Sequence, residues 1–192
     1  MTPPLGRAII DSLAKARRHD DALGRTALSH GEAAQGGVYA KTGTAAITGL
    51  LKPGDVPPEG GLYLLDMVPD GDVQFGHPVS NDAEAIGELI ACGAHVVLYG
   101  TGQGSVVGAA IAPVIKVCSN PETFERLWDD MDIDAGRIRQ GEASLEDVAK
   151  EIRNMVMGVA QGTLTNSEDL GHQEFHMTYK RFEPLGPDCL PL

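Results

Sequence analysis

The residues with the clearest capacity for chemistry gather around a glycine-rich stretch. Gly100, Gly102, Gly104 and Gly108 fall within nine residues, around Thr101, Gln103 and Ser105. Closely spaced glycines let backbone N–H groups approach a ligand and turn inward, which is how a chain holds a carboxylate or phosphate without a side chain. Apolar runs flank the stretch at 95–99 and 111–118, so the pattern reads strand, anion-sized loop, strand. Three readings compete: a dinucleotide fingerprint, a plain turn between buried strands, and a loop for a small acid. A fingerprint would need the glycines to open a long helix, whereas 106–112 is short, broken by Gly108 and cut by Pro113. Lys116, beyond the loop, can neutralise charge or act as a base if burial lowers its proton affinity, or it can simply snorkel from a strand edge. Asn120 lies near it and also suits a helix cap. Asp66 ends an apolar run at 61–68, where the C-terminal end of a strand in an open α/β sheet faces ligands, although it can also cap the turn at 69–72. His172 and Glu174, two apart, would point the same way on a strand and suit metal ligation or proton transfer, though a lone histidine is more often structural. Asp130, Asp132 and Asp134 alternate, but without the glycine and terminal glutamate of a calcium loop they read as turn caps.

The elements that must position these groups follow from periodicity. Residues 5–23 carry Ile9, Ile10, Leu13 and Ala16 near helical spacing, with Lys15, Arg17 and Arg18 as a solvated end. Residues 27–60 have little periodicity and read as a connecting arm holding a short strand or helix. The run 61–68 reads as a central buried strand. Residues 81–92 predict a helix capped by Asn81, with Ile86, Leu89 and Ile90 inward and Gly93 as its stop. With the run at 95–99 this makes a βαβ unit from 61 to 99, which requires parallel strands and a right-handed crossover. His95 and Cys118 read as packing residues. Asn120 and Pro121 start a helix to 130 with Phe124, Leu127 and Trp128 inward. Residues 144–160 give the clearest helix, with Leu145, Val148, Ile152, Met155 and Val159 on one stripe. The alternation at 171–187 reads as an edge strand.

Composition bounds the class. The 192 residues suffice for one domain with a real core, and an apolar fraction of 42% with few aromatics suits an aliphatic-packed α/β protein. A net charge of −12 speaks against nucleic acid or an anionic membrane surface as partner. Cys92, Cys118 and Cys189 are widely spaced and odd in number, which points to a reducing cytoplasm rather than a disulfide framework. No apolar run approaches the ~20 residues of a membrane span.

The segment GTGQGSVVGAAIAPVIKVCSNPETFERLWDDMDIDAG (100–136) resembles the core signature of the altronate and galactarate dehydratase family: a TTGRG-type loop, an apolar PxIK segment, an Asn and a DMDI element. LYLLDMVPD, EAAQGGVYAKTG and LGHQEFHMTYKRFEPLGP are similar to further family motifs in family order. The resemblance implies an α/β fold, a layered Rossmann-like sheet, largely parallel, with helices on both faces. It implies a single domain overall, an arm over 1–60 leading into a core over 61–192. It implies a lyase that eliminates water from a 2,3-dihydroxy sugar acid to give a 2-keto-3-deoxy acid, with a divalent metal, Fe²⁺ or Mn²⁺, as cofactor. The site residues would then be Asp66, Lys116 and His172 for catalysis, Thr101, Gly102, Gln103, Gly104, Ser105, Asn120 and Lys41 for the substrate, and His172 and Glu174 for the metal; Glu32 falls where the family keeps an acid. Family members carry a further upstream region, so an N-terminal catalytic domain or a partner chain is expected, and a homo-oligomer stays open. The family loop commonly has Arg where this chain has Gln103, which cannot fork a carboxylate with charge. A sulfolactate sulfo-lyase type subunit and a non-catalytic carboxylate-binding subunit remain as alternatives.

Overall fold

The computed structural model describes residues 3–22, 44–67 and 82–175. Lys41, Glu32, Asn81 and His176 lie outside the described residues. The described residues fall into two compact units, divided between residues 80 and 81.

In the first unit, helix α1 (Pro3–Ala22) packs on a two-stranded parallel sheet of β1 (Ile47–Leu51) and β2 (Leu62–Leu65). Ile9 is the buried anchor of α1, while Ile10, one residue on and so on another face, is 55% exposed. Lys15 is not solvated as its place in a basic cluster suggested. It turns into the unit and binds Asp66. The Asp66 N–H extends the β1–β2 ladder by donating to the Leu51 carbonyl, 2.8 Å away.

In the second unit, α2 (Asp82–Ala91) leads into a three-stranded parallel sheet, β3 (Val97–Thr101), β4 (Val114–Cys118) and β5 (Ile133–Asp134), with β4 in the middle. Short helices α3 (Pro121–Arg126), α4 (Arg137–Gln140) and α6 (Asn166–Asp169) flank the long α5 (Leu145–Ala160). Alternation along the strands separates two layers. Val97 and Val114 pack with Ile86 of α2 and Val107 on one face; Ile115 and Ile133 pack with Val148, Ile152, Met155 and Val159 of α5 on the other. The α/β class, parallel sheets and helices on both faces of this sheet are therefore present. Within the units β2 pairs with β1, and β3 with β4.

Local signals account for the helix ends. Gly93 sits at φ 96°, a left-handed conformation that stops α2 cheaply only as glycine. Asn120 caps α3 through its Oδ1, accepting from Glu122 N at 3.1 Å, and Pro121 follows as first helical residue. Ser144 and Asp147 form a reciprocal capping box on α5. Four apolar assignments are corrected. Leu89, Trp128, Leu145 and His95 are exposed; α3 ends at Arg126, before Trp128, Leu145 is the first residue of α5, and His95 lies in the turn between α2 and β3. Residues 171–175 form no strand.

Candidate functional site

The second unit brings most of the sequence-selected residues to the C-terminal ends of β3 and β4. In the parallel register Thr101 lies opposite Cys118 and Tyr99 opposite Lys116. Tyr99 follows Val97 by two, and Lys116 follows Val114 by two, so phenol and amine belong to the α2 face of the sheet.

Lys116 is fully buried, and its Nζ has no hydrogen-bond partner among the described residues. Burial pushes its proton affinity down from the ordinary lysine value. The charges of Asp130, Asp132 and Glu174 pull the other way without overcoming it. Of these acids, Asp132 is spent on the main chain, accepting from Lys116 N at 2.7 Å and from Asn166 N at 2.8 Å. Desolvation raises its pKa above the usual carboxylate value despite those bonds. Asp134 caps the turn at Gly136 N, as the turn-cap reading expected. Asp130 instead approaches His172, 3.9 Å from Nδ1.

Tyr99 and Asp82 were not singled out from the sequence, since nothing local marks them. Burial, followed by hydrogen bonding to the Asp82 carboxylate, drives the Tyr99 hydroxyl well above its ordinary pKa, and Ser105 opposes this slightly. Ser105 Oγ donates to Asp82 at 3.2 Å. Only the β3–β4 register, which places Tyr99 beside Lys116, would have drawn attention to it.

The glycine loop differs from the expectation of open amides. Thr101 Oγ1 accepts from Gln103 N at 3.3 Å and Gly104 N at 3.0 Å; Ser105 Oγ accepts from Val107 N at 3.3 Å. The Gly108 N–H does hold a carboxylate, that of Glu174, at 2.8 Å. Two of the glycines answer to packing. A Cβ on Gly104, at φ 85°, would stand 2.3 Å from Leu127 Cδ1, and one on Gly108 would stand 2.3 Å from the His172 carbonyl oxygen. Short hydroxyl side chains therefore satisfy the loop from within, a use that glycine spacing alone does not reveal. Gly102 and Gln103 at its tip are exposed. Among the described residues the stretch 102–113 holds no helix, as the argument against a dinucleotide fingerprint required. Asn120 commits its Oδ1 to the cap of α3.

Asp66 belongs to the first unit. It is 5% exposed and binds Lys15 Nζ at 2.7 Å and Lys52 Nζ at 3.1 Å. Burial raises its pKa, but the hydrogen bonds and charges of the two lysines outweigh that and hold it below the ordinary value.

The divalent metal implied by the resemblance needs several donors gathered at one point. Among the described residues no group of three or more His, Cys, Asp or Glu side chains lies together as an ion requires. His172 has Asp130 beside it, while Glu174 is bound to the Gly108 N–H and sits on a loop rather than a strand. These residues alone do not fit the ion. No described helix is long and apolar enough to cross a membrane.

Residues 28–182 match the family described as D-galactarate/Altronate dehydratase, C-terminal. The chain is 32% identical over 132 residues to the (2R)-sulfolactate sulfo-lyase subunit beta of Chromohalobacter salexigens, covering 69% of this chain and 31% of that protein. It is 34% identical over 126 residues to a galactarate dehydratase (L-threo-forming) of Escherichia coli, covering 66% and 22%. It is 32% identical over 132 residues to an altronate dehydratase of Bacillus subtilis, covering 69% and 24%. The chain thus spans less than a third of the length of these relatives. With the match extending over most of its residues, the chain belongs to the D-galactarate/altronate dehydratase C-terminal family.

Proposed function

We propose that this chain is the C-terminal part of a lyase that removes water from a polyhydroxy acid of the galactarate or altronate kind, leaving a 2-keto-3-deoxy acid. The observation that carries this reading, beside the family, is the Lys116 amine: fully buried, without a hydrogen-bond partner among the described residues, and lowered in proton affinity. Dehydration begins with loss of a weakly acidic proton beside the carboxylate. A base for that step needs a proton affinity tuned toward neutrality, and burial tunes an amine in that direction. Once protonated, Lys116 becomes an ammonium that offsets the charge of the enediolate. Tyr99, kept protonated by burial and by Asp82, gives its one hydroxyl proton to that carboxylate and so can only accept from a ligand on the same face. His172, whose Nδ1 lies 3.9 Å from Asp130 and makes no hydrogen bond among the described residues, is the second proton-handling group. Loss of the β-hydroxyl with that proton completes the elimination. The short span of the relatives covered supports a catalytic unit completed by a further domain or subunit.

The test is 2-oxo acid formation from galactarate and altronate by the complete protein, with Lys116→Met and Lys116→Arg beside the parent. Turnover lost in both variants supports Lys116 as the base. Full turnover in Lys116→Met removes it from the mechanism.

A second reading, elimination of sulfite from sulfolactate, is favoured by the similarity to a sulfo-lyase subunit. Sulfite release from sulfolactate, with galactarate and altronate inert, would select it.

A further inference from the structure

One carboxylate, that of Asp82, stands where the start of α2, strand β3 and the glycine loop meet. It accepts from Ser105 Oγ at 3.2 Å, across 23 positions of chain, and from the Tyr99 hydroxyl. A carboxylate has two oxygens and about four acceptor sites, so it can hold both hydroxyls at once. A first-turn acid suits the helix dipole wherever its side chain points, but this one is turned onto hydroxyls from two other elements. Those two hydroxyls mark the ends of a short path. Tyr99 lies opposite Lys116 in the β3–β4 register, and Ser105 sits in the loop that leaves β3.

Ser105 passes the restraint on. Its Oγ gives its proton to Asp82 and accepts in turn from Val107 N at 3.3 Å. Val107 is buried against Ile86 of α2, Val97 and Val114. The first half of the loop is held by other groups. Thr101 Oγ1 accepts from Gln103 N and Gly104 N, and Thr123 Oγ1 donates to the Gly102 carbonyl at 3.0 Å. Asp82 therefore bears on residues 105–107 and leaves the tip at 102–104 to the two threonines.

The geometry points to Asp82 as the positioning residue of the glycine loop: by holding Ser105 and Tyr99 on one carboxylate, it fixes the second half of the loop relative to Lys116. With Lys116 as the base of the proposed dehydration, the reading on which this assignment rests, that spacing sets how a bound acid presents its proton to the amine. A misplacement of about 1 Å can cost on the order of a hundredfold in rate.

The test compares Asp82→Ala, Asp82→Asn, Ser105→Ala and the double variant Asp82→Ala with Ser105→Ala in the complete protein. The readouts are 2-oxo acid formation from galactarate and altronate and residue-resolved amide hydrogen exchange. Asp82→Ala should lower kcat roughly tenfold or more. Asp82→Asn keeps an acceptor oxygen and should recover most of that loss. The double variant should be no slower than the slower single variant, since both remove one contact. Exchange at the Val107 N–H should quicken in Asp82→Ala, while Gln103 and Gly104 keep parental rates. Full turnover in Asp82→Ala overturns the proposal, as do losses that multiply in the double variant, no recovery in Asp82→Asn, or unchanged exchange at Val107. Faster exchange at Gln103 and Gly104 as well overturns it too, because that reports general loosening of the unit. A parent inert on both acids overturns the dehydration reading instead, and exchange at Val107 then decides by itself whether Asp82 holds the loop.

Discussion

Tyr99 and Lys116 are cross-strand partners in the parallel pairing of β3 with β4, so an aromatic hydroxyl and a buried amine share one face of the sheet. Neither gains from being there in the way an aliphatic residue would. A buried cation without a hydrogen-bonded partner lowers stability, and a chain that keeps one does so for what the amine can do.

Lys116→Met should therefore raise the stability of the second unit, by about 1 kcal/mol or more, since it removes the desolvation penalty of the amine. The pH dependence carries the sign. The folded pKa lies below the ordinary 10.5, so between the two values the unfolded chain binds more protons, and parental stability rises with pH through that window. Denaturant unfolding across this range should show the rise in the parent and its absence in Lys116→Met. A variant less stable than the parent would mean that the amine is partnered.

Asp66 titrates in the opposite sense. Its folded pKa lies below the ordinary 3.8, so its contribution is complete above that value and is lost as pH falls through the folded pKa. Asp66→Asn should cost about 1–3 kcal/mol at neutral pH, where two lysines lose their counter-charge, one of them partly exposed. Parent and variant should converge in acid. Unfolding followed at pH 7 and at successive steps below pH 3.8 checks this, and equal stabilities at pH 7 would show the two ion pairs to be silent.

Gly108→Ala should loosen the segment around His172. The added methyl meets the His172 carbonyl oxygen at 2.3 Å and its Cβ at 2.9 Å, backbone as well as side chain, so the segment must move and the Gly108 N–H contact to Glu174 goes with it. A loss of about 1–3 kcal/mol is expected, with faster amide exchange at 172–175. Unchanged exchange there would show that Gly108 does not hold the segment.

Asn120→Ala tests which of its two readings prevails. Loss of the cap on α3 should cost about 1 kcal/mol, and Asn120→Asp should retain most of it, because either side chain accepts from the Glu122 N–H. Thermal unfolding of the three proteins separates capping from a purely substrate-facing asparagine, for which stability would not change.

Much of this molecule was legible because its signals are local. Asn120 with Pro121 and Gly93 mark helix ends through groups within one turn of each other. The Val148, Ile152, Met155 and Val159 stripe needs only the helical period to predict a buried face. The glycine loop was also placed correctly between two strands, since glycine density and flanking apolar runs are properties of contiguous residues. Partnership was another matter. That β2 pairs with β1, that Lys15 reaches Asp66 across 51 positions, and that Tyr99 meets Lys116 all follow from register and packing. So does the fate of the loop amides, claimed by Thr101, Ser105 and Glu174. A strand's residues carry its alternation but not its neighbour's identity, because pairing is decided by the apolar area that the assembled layers bury together. The sequence by itself determined where most of the helices begin, the glycine loop between two strands and the family; the tertiary structure decided where several elements end and which charges meet, because those depend on partners distant in the chain.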